Sequence, residues 1–121
     1  MLQGRFFTID SFSDDGETLK ATIVLNSGHE IFKGHFPGQP VVPGVCMMQI
    51  IRELMERAAG SRLRIVNGEN LKFLSIINPV ENTKVEVLIN FSRDSDFYKI
   101  NAAIFSGQVT FFKFKGGFHR L

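Results

Sequence analysis

From Thr18 to Asn26 apolar and polar residues alternate, with Leu19, Ala21, Ile23 and Leu25 on one face and Lys20, Thr22 and Val24 on the other. That period of two predicts a β-strand with one buried face. A shorter strand is expected at Gly4 to Asp10, joined to it through the turn residues Ser13-Asp14-Asp15-Gly16. From about Gly44 to Ala59 the period changes. Gln49, Arg52, Glu53, Glu56 and Arg57 fall on one stripe at helical spacing and the remaining positions are apolar or small, which predicts an amphipathic helix. Gly60 and Ser61 end it, with Arg57 in the last turn as the helix dipole favours. Strand patterns return at about Asn70 to Ile77, Lys84 to Ser92, Phe97 to Ser106 and Gln108 to Lys115. The short loops between the later strands predict antiparallel hairpins, and Gly116 to Leu121 reads as a loose tail in which Phe118 alone is suited to docking. Pattern therefore predicts a small α+β domain, a long sheet covered by one helix.

Composition narrows the picture. A chain of 121 residues is expected to form one domain, and 44% hydrophobic against 21% charged residues excludes disorder. No apolar run approaches the roughly 20 residues of a membrane span. The first residues lack the pattern of a signal peptide and the single cysteine, Cys46, has no partner for an internal disulfide, so a cytoplasmic protein is expected. A formal charge of +2, with cations scattered along the chain, argues against nucleic acid. Thirteen phenylalanines, one tyrosine and no tryptophan point to large apolar faces packed on one another. Cys46 reads as core, as do Met47, Met48 and Met55, whose flexible thioethers would equally suit a tunnel for an apolar chain; His29 reads as a surface residue, His119 as part of the tail, and no cluster has metal-ligand spacing.

The chemistry gathers in Gly34-His35-Phe36-Pro37-Gly38-Gln39-Pro40-Val41-Val42-Pro43-Gly44. Three prolines restrict the residues before them, so the segment is a stiff loop that presents His35 just ahead of a helix N-terminus. Unpaired N–H groups at such an end welcome a polarised carbonyl. With Lys72-Phe73 and Pro79 further on, this loop resembles the signature of the β-hydroxyacyl-acyl carrier protein dehydratases of fatty-acid synthesis, the FabZ and FabA type. The resemblance implies a hotdog fold, in which a curved antiparallel sheet wraps one helix and two subunits join by edge strands. It implies that His35 removes the proton beside the thioester, that the Gly44 N–H holds the thioester carbonyl, and that an acid on the partner's helix protonates the departing hydroxyl. Phe36, Pro37, Gly38, Val45, Met48 and Glu53 would line the substrate path, with no metal or redox cofactor. Acidic acyl carrier protein would be the partner, and Lys33, Arg62 and Arg64 are candidate docking cations.

One position departs from that family's pattern. Fourteen residues after His35, where the acid belongs, stands Gln49. Its amide can orient a hydroxyl but cannot deliver a proton to it at neutral pH. Glu53 follows one turn later, about 6 Å along the axis, so acid and amide look exchanged. Spacing alone instead pairs Glu53 with Arg57 across four residues. Three readings stay open: a displaced acid at Glu53, a mixed dimer in which a paralogue supplies the acid, and an acyl-binding or thioesterase protein that needs none.

Overall fold

The computed structural model describes Met1–Leu121, and in it the alternation of Leu19, Ala21, Ile23 and Leu25 is realised as four buried side chains on one face of a strand. The elements in chain order are β1 Phe7–Asp14, β2 Thr18–Leu25, a single-turn α1 Ile31–Gly34, α2 Gly44–Ala59, β3 Leu63–Phe73, β4 Lys84–Asp94, β5 Phe97–Ser106 and β6 Val109–Arg120. All pairings are antiparallel, and the six strands form one sheet in the order β1-β2-β4-β5-β6-β3. Cys46, Met47, Ile50, Ile51, Leu54 and Met55 of α2 are buried in one core cluster with the inward residues of the sheet, among them Ile23, Val87, Ile89, Ile100, Phe112, Phe114 and Phe118. One sheet covering one long helix is the hotdog arrangement. No helix is long and apolar enough to cross a membrane.

The limits of α2 agree with the expected ones residue for residue. Pro43, extended at φ −63° and ψ 146°, precedes its first turn, and Gly60 closes it in the left-handed conformation at φ 65°, which suits glycine. Between β1 and β2 the expected turn forms around Gly16, with Asp15 Oδ1 accepting from the N–H groups of Glu17 and Thr18. Those two bonds hold the exposed Asp15 carboxyl below its ordinary range.

Three expectations are corrected. Strand β1 starts at Phe7 because Met1 to Phe6 folds back on itself, with Gly4 at φ 90° and the Phe6 N–H donating to the Leu2 carbonyl at 2.8 Å. Strand β3 lies at Leu63–Phe73 rather than Asn70 to Ile77: after Leu63 every residue of this edge strand is exposed, so no alternation marks it. The loose tail is instead the end of β6, hydrogen-bonded between β3 and β5. Gly116 and Gly117 are there for close approach, since a Cβ at Gly116 would collide with the Asn67 carbonyl oxygen and one at Gly117 with the Phe97 ring. Beyond them Phe118 is fully buried. Phe118→Ala is expected to cost about 3–5 kcal/mol, measured as a fall in the urea midpoint at unchanged slope.

Candidate functional site

His35 follows directly on α1, and main-chain hydrogen bonds fix its loop. Its N–H donates to the Ile31 carbonyl at 3.1 Å, its carbonyl accepts from Val41 N–H at 3.0 Å, and Phe36 and Gln39 exchange two bonds of 2.9 Å across the turn at Gly38. The His35–Phe36 peptide is cis and Gly38 sits at φ 77°. Further along, Val42 N–H donates to the Ile77 carbonyl, tying the loop to the segment that precedes Pro79. The His35 ring stacks on Phe36 with centroids 4.2 Å apart, and its Nδ1 lies 3.1 Å from the Val41 carbonyl oxygen. A carbonyl only accepts, so that contact places the ring proton on Nδ1 and leaves Nε2 with a free lone pair.

At the start of α2, Gly44 and Val45 have no main-chain acceptor for their N–H groups, as the first turn of a helix requires. His35, Phe36, Val41, Val42, Gly44, Met47, Phe73, Leu74, Ser75 and Ile76 line a cleft of about 510 Å³. His35, with a ring nitrogen able to accept, and Gly44, with a main-chain N–H that has no acceptor, thus line one largely apolar cleft, the pairing suited to taking a proton next to a carbonyl and holding the resulting oxyanion. Phe73 covers the helix end: a Cβ on Gly44 would sit 2.7 Å from two of its ring carbons. Only a residue without a side chain allows that approach. Phe73 is itself 54% exposed and packs at 5.1 Å on Phe112.

The sequence-predicted residues divide between several places. His35, Phe36 and Gly44 meet in the cleft. Gly38 lines a smaller cavity of about 300 Å³ on the outer side of the loop with His29, Phe32, Lys33 and Pro40, and Phe36 borders both spaces. Pro37 and Val45 are exposed, Val45 to 76%, and Met48 is half-buried; none of the three lines the cleft. Gln49 and Glu53 line a separate polar cavity of about 630 Å³ with Gln3, Arg52, Glu56, Arg57 and Arg62. Within one chain, the His35 imidazole and the Gln49 amide therefore border different spaces. Sequence reasoning missed Leu74, Ser75 and Ile76 as cleft wall, having read them as strand; they follow the end of β3 at Phe73.

The expected Glu53–Arg57 ion pair is absent. Glu53 is only 4% exposed, and it accepts from Leu2 N–H at 2.7 Å and Gln49 Nε2 at 2.9 Å on Oε2, and from Gln3 N–H at 2.9 Å on Oε1. Arg57 instead lies 4.8 Å over the Phe12 ring. A buried carboxylate needs several donors, and two main-chain N–H groups delivered by the Gly4 turn serve better than one mobile guanidinium. His29 has a local role, its Nδ1 accepting from Ile31 N–H and its ring against Phe6, and burial pushes the Cys46 thiol up, away from nucleophilic use. His119, expected in the tail, closes a bond to the Arg120 carbonyl in β6. Lys33, Arg62 and Arg64 are exposed and make no ion pair.

Comparison with known proteins gives concordant results. The sequence model of the ApeI-like family, described as ApeI dehydratase, matches residues 11–109. The 3-hydroxyacyl-acyl-carrier-protein dehydratase FabZ of Haemophilus influenzae strain PittEE is 34% identical over 73 residues, 59% of this chain and 49% of the relative. FabZ of Lactobacillus helveticus is 28% identical over 87 residues, 66% of this chain and 59% of that protein. The chain thus spans about half the length of the first of these relatives. Among solved structures, the dehydratase heterocomplex ApeI:P from Xenorhabdus doucetiae superposes with a TM-score of 0.73 at 18% identity, covering 93% of this chain and 96% of that one. A conserved protein from Pseudomonas aeruginosa follows at 0.68 and 12% identity, covering 97% and 90%.

Proposed function

The chain belongs to the ApeI-like dehydratase family, and on that footing we propose that it acts on β-hydroxyacyl thioesters carried by acyl carrier protein, as the base-bearing subunit of a hotdog dehydratase. The observation that carries this reading is the meeting of His35 and Gly44 in one apolar cleft. His35 Nε2 takes the proton from the carbon beside the thioester while Gly44 N–H, aided by the helix dipole, holds the carbonyl oxygen as it gains charge. One such donor contributes on the order of 3 kcal/mol to the barrier. The electron pair of the broken C–H bond forms the double bond, and the β-hydroxyl leaves as water once it receives a proton. Gln49 cannot give that proton and serves to orient the hydroxyl.

The second half of the site comes from another chain. In a single chain Gln49 faces a different cavity from His35, so the two act together only across a dimer. Strand β3 supports such a dimer: its outer edge is unpaired, and Ile65, Val66, Leu71 and Phe73 are 40–54% exposed along it. A copy of itself gives a slow dehydratase, whereas a paralogue with an acid at the Gln49 position gives a fast one. The glutamine favours that second, mixed assembly. Lys33, Arg62 and Arg64 would meet the acidic carrier.

The test is the purified chain with a short β-hydroxyacyl thioester, followed by the absorbance of the enoyl product. Slow turnover or saturable binding that His35→Ala removes supports the reading; neither binding nor turnover, alone or with an acid-bearing hotdog partner, refutes it. Release of free thiol from a saturated acyl thioester would assign the cleft to hydrolysis instead.

A further inference from the structure

We infer that Glu53 is the positioning residue for Gln49, fixing which end of the Gln49 amide faces the polar cavity; this rests on the reading of Gln49 as the residue that orients the β-hydroxyl. An ionised carboxylate only accepts hydrogen bonds, so the 2.9 Å contact to Glu53 Oε2 commits one Nε2–H of Gln49. What Gln49 has left for the cavity is its carbonyl Oε1 and the second N–H. Glu53 cannot turn to release the amide, because the main-chain N–H groups of Leu2 and Gln3 hold both its oxygens and the side chain is buried.

The assignment explains why carboxylate and amide stand in this order. A glutamine at position 53 has a single acceptor oxygen and could not satisfy Leu2 N–H, Gln3 N–H and the Gln49 amide together. Glu53 is therefore spent on holding the first residues of the chain and the Gln49 side chain, which removes it as a displaced proton donor. With Oε1 free, Gln49 accepts the hydrogen of a hydroxyl, and the substrate oxygen keeps its lone pairs for a proton from elsewhere.

The experiment is side-chain amide exchange in the ¹⁵N-labelled protein, the Gln49 signals being identified by their loss in Gln49→Leu. Exchange about tenfold or more slower than that of the exposed Gln108 is expected, as for a hydrogen bond to a charged group. Glu53→Gln, of nearly equal volume, should abolish the protection and lower kcat on a β-hydroxyacyl thioester with KM changed by less than about twofold. Wild-type Gln49 exchanging like Gln108 overturns the assignment even if the variant does not fold, and so does protection that survives in a folded Glu53→Gln. Protection in wild type that Glu53→Gln abolishes, in a protein that neither binds nor turns over the thioester, sustains the lock on Gln49 and refutes the functional reading alone.

Discussion

On the proposed reading, Gln49→Glu is expected to raise the rate of β-hydroxyacyl thioester dehydration by about 10² to 10⁴, the usual worth of general acid catalysis. The structure says why the new carboxyl would hold a proton to give. Position 49 lies one helical turn from Glu53, whose two oxygens already accept from the Leu2 and Gln3 N–H groups. A carboxyl placed beside that acceptor, with no main-chain donor of its own, is disfavoured in its charged form. The neighbouring negative charge moves the new group upward, so the gain is present on the acid side and fades as pH rises through its titration. Initial rates across pH for wild type and variant are the measurement. Equal rates would mean that the helix stripe never meets a substrate.

In that same background His35→Ala loses about 10² to 10⁴ in kcat with KM little changed. The imidazole is half-buried, stacks on Phe36 and meets the Val41 carbonyl, while the loop is held by main-chain bonds that alanine retains. The melting temperature should therefore stay within a few degrees of the parent. A variant that keeps its rate would assign the proton transfer to another group, and one that loses rate and stability together would make His35 a structural residue.

The parts legible in the sequence are those governed by neighbours along the chain. Helix α2 could be bounded because its polar stripe, Pro43 and Gly60 are all local signals. The His35 loop was legible because prolines restrict adjacent residues whatever the tertiary setting. Strand β3 was not, because an exposed edge puts no periodic demand on its side chains. Gly116 and Gly117 read as looseness although they mark tight packing, since the same absence of a Cβ serves both purposes. Glu53 shows the limit most clearly. The local rule gave it Arg57, four residues away, and the fold gave it partners 50 and 51 residues away, in the residues just ahead of the expected first strand. Likewise the far wall of the cleft, Leu74 to Ile76, comes from irregular chain placed by Leu74 N–H on the Phe111 carbonyl.

The open edge of β3 bears on how such proteins change partners. A strand edge joins through N–H and C=O groups that every sequence carries, so the ladder supplies adhesion without identity. Identity falls to the few side chains flanking it, such as Arg64, Glu69 and Lys72, where single substitutions can reward one mate and repel another. After a gene duplication, two copies could drift from self-association to mutual association by such changes alone. Labour could then be divided between sister chains without any new fold.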